Sequence, residues 1–220
     1  MKQVTIVPRL VATDASCAAS GHQDHPIGFR EQVADRDGWM ARQRDFSVSL
    51  SRGVSAVLRT LCNRPFVVRR GVLLEHAPGT RNPATWIDCL AATEFGVFII
   101  DQYHWRGAVE RSVDEDEVLI HERPGVVSVE TSPLRRAKPA LRHLRAVLTD
   151  YNCPVECIAV LEASQCAIDP TLPETILVLS ELPHFMRSRL NRFRGSRLQY
   201  LDPQRIAAAL QARCTDWGRS

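Results

Sequence analysis

Apolar residues recur at two spacings along this chain, and the switches between them mark out its elements. Within Phe46 to Leu61, Val48, Val54, Val57, Leu58 and Leu61 fall roughly on one helical face, and Cys62-Asn63-Arg64-Pro65 stops that helix. Glu31 to Arg42 shows a similar spacing. The stretch FVVRRGVLLEH (Phe66 to His76) is β-branched and apolar and predicts a strand, closed by the turn cluster APGTRNP. Thr85 to Thr93 alternates partly. Glu94-Phe95-Gly96 then turns tightly into a strand whose apolar run, Val97 to Ile100, ends in Asp101, Gln102, Tyr103 and His104. Gly107 is expected to close that strand, with AVERS pairing back antiparallel. The acidic run Asp114 to Glu117 reads as a solvated loop tip, and VLIHE and GVVSVE as two more short strands.

Ser132-Pro133 opens another helix, with Ser as N-cap and Pro in the first turn, where its missing N–H costs nothing. Leu134, Ala137, Leu141, Leu144 and Leu148 continue its stripe, and Pro139 is expected to kink it or delay its start. Val155 to Ala163 and Thr175 to Glu181 read as buried strands, and Leu182 to Phe193 and Pro203 to Arg213 as helices. This order predicts an α/β fold, a mixed sheet covered by helices on both faces. Residues 1–27 lack a period and read as an extension, 28–195 as the main domain, and 196–220 as a basic C-terminal helix.

With 220 residues, 45% of them apolar and 24% charged, the chain is long enough for one domain with a full core. No apolar run approaches the ~18 residues of a membrane span. Pro8, Arg9 and Asp14 interrupt the first apolar stretch, so a soluble cytoplasmic protein is expected. Seven cysteines, an odd number, fit reduced thiols better than a disulfide framework. Cys153 and Cys157 are one residue too far apart for a redox pair. Cys17, His22 and His25 lack a fourth zinc ligand, so both groups read as core or loop positions.

Charge changes the picture at one end. Met186 to Ser220 holds Arg187, Arg189, Arg192, Arg194, Arg197, Arg205, Arg213 and Arg219 against Asp202 and Asp216, a local +6 in a chain of net +3. That is the footprint of a polyanion-binding surface, and equally the composition of a solvated helix face. Of 28 basic residues only Lys2 and Lys138 are lysines, so a mechanism that needs a lysine has two candidates.

The candidate chemistry lies at the end of the apolar strand. If the strands around Glu94-Phe95-Gly96 form a hairpin in suitable register, Asp88 and Asp101 meet at one open end. Two carboxylates there make a hard-oxygen site for Mg²⁺ or Mn²⁺, which lowers the pKa of a bound water and steadies charge on a phosphate. The alternative is a turn cap at Asp88 and a solvated Asp101. Trp86, Trp105 and Tyr103 suit base stacking or the core.

The segment WIDCLAATEFGVFIIDQYHWRGAV resembles the core of the nuclease-related domain family, a branch of the PD-(D/E)xK restriction-endonuclease-like fold. Ile87-Asp88, Phe95-Gly96, Val97 to Ile100 and Trp105-Arg106-Gly107 carry the resemblance, with SPLRRA (Ser132 to Ala137), ECIAVLEA and TILVLSELPHF as weaker flanks. It implies a restriction-endonuclease-like mixed β-sheet flanked by α-helices, a metal pair of Asp88 and Asp101, and DNA as partner. The departures fall on the chemistry. Asp101 replaces a glutamate, Tyr103 stands at the family's lysine, Arg136 at its glutamine, and Val54 follows Gly53 where a glutamate is expected. Arg106 and Arg136 can supply charge but are poor proton-transfer groups, Lys138 lies close in sequence to the motif helix, and His104 is a base that alternation points away from Asp101 and Tyr103. The resemblance therefore implies a degenerate nuclease-like domain that binds DNA or a DNA-processing partner, with Arg187, Arg189, Arg192, Arg194 and Arg197 as contacts. A Mg²⁺- or Mn²⁺-dependent endonuclease with a rearranged site and a non-catalytic scaffold are the alternatives.

Overall fold

A computed structural model describes residues 48–80, 83–162, 166–196, 198–212 and 214. The extension 1–27, the helix expected at Glu31 to Arg42, and Arg197, Arg213 and Arg219 lie outside them. Described elements are α1 (residues 48–61), β1 (Val67–Glu75), β2 (Ala84–Thr93), β3 (Gly96–Tyr103), β4 (Gly107–Arg111), β5 (Glu117–Arg123), β6 (Val126–Thr131), α2 (Pro133–Val147), β7 (Val155–Leu161), β8 (Cys166–Ile168), β9 (Ile176–Val178), α3 (Leu182–Gly195) and α4 (Pro203–Gln211).

Five strands form the main sheet in the order β1-β2-β3-β7-β9. The first three run antiparallel, whereas β7 joins β3 and β9 joins β7 in parallel. Alternation along β3 sends Phe98 and Ile100 to one side and Val97 and Ile99 to the other. On the first side α1 and α3 pack Leu50, Val54, Leu58, Met186 and Leu190. On the second, α2 and α4 pack Ala140, Leu144, Ile206 and Leu210. Each large apolar side chain so buried contributes about 1.5–3 kcal/mol. The architecture is thus the expected α/β one, a mixed sheet between helical layers. The described part of the C-terminal segment is built into it, since α4 buries Ile206, Ala207 and Leu210.

A second sheet, β6-β5-β4-β8, was not foreseen as a separate body. Its Val109 and Val118 pack on Ala159, Leu161 and Ile176 of the main sheet. AVERS does not pair back onto β3: it becomes β4, which pairs with β5 and β8. Gly107 opens β4 rather than closing β3, at φ 95°, where the chain passes so close to β5 that a Cβ would lie 2.0 Å from the His121 carbonyl oxygen.

Three smaller expectations are also revised. Helix α2 runs from Pro133 to Val147 with Pro139 inside it, so its start is not delayed. Ser132 precedes it without a side-chain cap bond, its N–H donating instead to the Asp116 carbonyl at 2.8 Å. The strand expected over Thr175 to Glu181 shrinks to Ile176–Val178, because Leu179–Glu181 tightens into a 3₁₀ turn that leads into α3. Among the described residues no helix is long and apolar enough to cross a membrane.

Candidate functional site

The two-residue turn at Glu94-Phe95 fixes the β2–β3 register, from Thr93 opposite Gly96 to Cys89 opposite Ile100. The next pair in sequence is Asp88 and Asp101, and there hydrogen bonding passes from backbone to side chain. The Asp88 N–H donates to Asp101 Oδ1 at 3.0 Å, and the Gln102 N–H donates to Asp88 Oδ2 at 3.0 Å. The strands part at this point: β3 continues along β7 as far as Tyr103, while β2 stays with β1. Each carboxylate therefore holds an amide of the opposite strand in the fork.

Gly71 takes part in the same distortion. The β1–β2 ladder skips the Gly71–Asp88 position, and Gly71 has φ 62°. Across it, the residues filling the α2 side change from odd (Val67) to even (Val72, Leu74) on β1, and from even (Leu90, Ala92) to odd (Ile87) on β2. A glycine inside an apolar strand pattern is the sequence sign of such a kink. The role of Gly71 is nevertheless missing from the sequence-based reading.

Asp88 is only 3% exposed and also accepts from Trp86 Nε1 at 2.9 Å. Burial raises its pKa, partly offset by the Gln102 and Trp86 hydrogen bonds and by His104. Asp101 is pushed up to about 7, first by burial and then by the Asp88 charge. A fork with two carboxylates face to face in a low dielectric favours a shared proton or a cation.

The fork opens into a cleft of about 510 Å³ whose lining includes Asp88, Asp101, Tyr103, His104, His76 and Arg136. Four of the five expected site residues thus meet. Lys138 does not line it: two residues on from Arg136, it projects from α2 about 200° further round. Tyr103 fills the position read as the family's lysine. Burial and the Asp101 charge push its phenol above the ordinary range, so it stays neutral, and its ring packs 5.0 Å from that of Trp105. Arg136 sits 5.9 Å from the Tyr103 ring centre and is paired with Glu130 at 3.0 Å. His104 belongs to the cleft despite the alternation argument, because β3 ends at Tyr103 and alternation ends with it. His76, absent from the sequence-based candidates, shares a 2.7 Å hydrogen bond with Thr85 Oγ1, and burial and His143 lower its pKa. Val54, at the expected glutamate, is fully buried on the α1–α3 side.

A hard cation fits this donor set in kind: Mg²⁺ commonly takes one or two carboxylates and keeps its waters. Asp88 and Asp101 would hold it. Among the described residues no group of three or more His, Cys, Asp or Glu is placed to bind a metal.

Of the arginines expected on nucleic acid, Arg187, Arg192 and Arg194 are exposed on α3. Arg189 is removed from that set. It is 7% exposed, and its guanidinium is spent on Glu156 at 2.7 Å and Glu174 at 2.6 Å while stacking 4.3 Å over Phe185. Replacing it (Arg189→Met) should lower stability by about 2 kcal/mol in urea unfolding. That is less than for a fully buried pair, because both carboxylates reach water. An unchanged midpoint would show that the triad is idle.

The model for the nuclease-related domain matches residues 51–162 of this chain. No curated protein and no solved structure matches it.

Proposed function

The chain belongs to the nuclease-related domain family, and from that premise we propose a nuclease-like domain that binds DNA, or a partner that handles DNA, with little or no cleavage. The observation that carries this reading is Tyr103, neutral, half-buried and packed on the Trp105 ring, at the position of the expected lysine. Loss of one well-placed stabilising group commonly costs ~3 kcal/mol, about a hundredfold in rate. Arg136 is engaged with Glu130, and guanidinium stays protonated, so it is a poor base. Three of the four Asp88 and Asp101 carboxylate oxygens already accept N–H groups.

The exposed arginines support binding away from the cleft. Arg187 and Arg194, seven residues apart on α3, share a face, as do the exposed Arg52 and Arg59 on α1. Both helices cover the side of the main sheet opposite α2, whose first turns line the cleft. The full chain should therefore retard duplex DNA in EDTA, with affinity falling steeply as salt rises. Arg187→Glu with Arg194→Glu should weaken retention by roughly tenfold or more. Equal retention by that variant would remove the surface from the proposal.

A second reading, a Mg²⁺- or Mn²⁺-dependent endonuclease, is favoured by one observation, the convergence of Asp88 and Asp101 in an open cleft. A bound divalent ion there supplies Lewis acidity and a more acidic water. The two aspartates would orient it, and Arg136 would face the phosphate. Metal-dependent nicking of plasmid that is lost in Asp101→Ala would establish this reading over the first. Neither retardation nor nicking would leave a scaffold role.

A further inference from the structure

Among the described residues the second sheet ends at β6, which pairs with β5 alone. Its outer edge therefore offers a row of N–H and C=O groups, the feature by which edge strands recruit another strand. Natural edges are commonly blunted by Lys or Pro, and VVSVET contains neither. Val126, Val127 and Val129 are 48%, 49% and 57% exposed, the last two on one face.

We infer that β6 pairs antiparallel with β6 of a second copy of this chain, joining two four-stranded sheets into one continuous sheet. The sequence of the strand selects the partner. A twofold axis normal to the sheet keeps the same face outward in both copies only if one residue meets its own counterpart. Centred on Ser128, the pairing sets Val127 against Val129 on both sides of the axis and Val126 against Glu130 at both ends. No like charges then stand opposite one another.

The flanking charges agree with this register. Arg123 pairs with Val126 across the β5–β6 hairpin. In the joined sheet Arg123, Val126 and Glu130 of the second copy lie in one row on one face. The two charged residues are two strand spacings apart, about 10 Å, and Glu130, which already pairs with Arg136 of its own chain, is half-exposed and can take Arg123 as a second partner. Within its own chain Arg123 makes no ion pair with the described residues. A short edge of this kind gives a weak, concentration-dependent dimer rather than an obligate one. The inference does not depend on what the cleft binds.

Sedimentation equilibrium of the full chain up to millimolar concentration tests it. The unaltered chain should dimerise reversibly. Val127→Lys/Val129→Lys and Val127→Glu/Val129→Glu should each be monomeric, and both should keep the native melting profile because the changed side chains face solvent. An equimolar mixture should recover a dimer, since each Lys then faces a Glu. A chain that stays monomeric throughout, its edge free or covered by its own residues 1–47, would overturn the inference. So would a dimer that survives in both variants, or a mixture that fails to associate.

Discussion

Gly107→Ala should cost at least ~3 kcal/mol, a large share of the stability of an ordinary domain. Two effects act together. An L side chain at φ 95° is strained by about 1–2 kcal/mol. Its Cβ would also lie 2.0 Å from the His121 carbonyl oxygen and within 2.9 Å of the Glu122 Cα, which are backbone atoms of β5 that no rotamer change can move aside. Relief requires β4 to separate from β5, which uncovers Val109 and Val118 in the cluster between the sheets. Gly79→Ala is the matched control: it has φ 79° with nothing within 4 Å of its Cβ, so it should cost only the strain. Urea midpoints of the two variants check this, and equal losses would disprove the close crossing.

Asp101→Asn should stabilise the protein at pH 8 by on the order of 1–3 kcal/mol and leave it unchanged near pH 3. The fold raises the Asp101 pKa from its ordinary 3.8 to about 7. The native state thus holds a proton that the unfolded chain releases. Its stabilising contribution is complete below about pH 4 and is lost as pH climbs through 7. Asparagine keeps an oxygen for the Asp88 N–H, cannot ionise, and removes the repulsion across the fork. The difference between variant and parent should therefore grow from pH 4 to pH 8. A difference constant with pH would mean that water screens the Asp101 carboxylate. At pH 8, Mg²⁺ should raise the melting temperature of the parent but not of Asp101→Asn if the pair holds a cation.

The meeting of Asp88 and Asp101 was legible because register propagates. Once the Glu94-Phe95 turn sets Thr93 opposite Gly96, counting back along both strands brings the two aspartates together. The main sheet and its helices were legible for a similar reason, their apolar positions being long and periodic. What failed were short or type-based readings. AVERS has too few residues for alternation to say which sheet it joins, and the turn at Gly107 decides it. Arg189 reads as a surface cation by residue type, yet α3 turns it toward Glu156 and Glu174. Lys138 is near the motif in sequence but on another face of α2. Gly71 lies in β1 and His76 directly after it, too distant along the chain for any local motif to include them.

The chain leaves the main sheet for the small one after Tyr103 and returns through α2 and β7, only to cross again and lay β8 against β4. The excursion from Gly107 to Thr131 thus resembles a detachable loop in the linear order but is interlocked in space. Excising it would orphan β8 and strip the cover from Ala159, Leu161 and Ile176, so a trimmed minimal version of this domain should precipitate rather than refold.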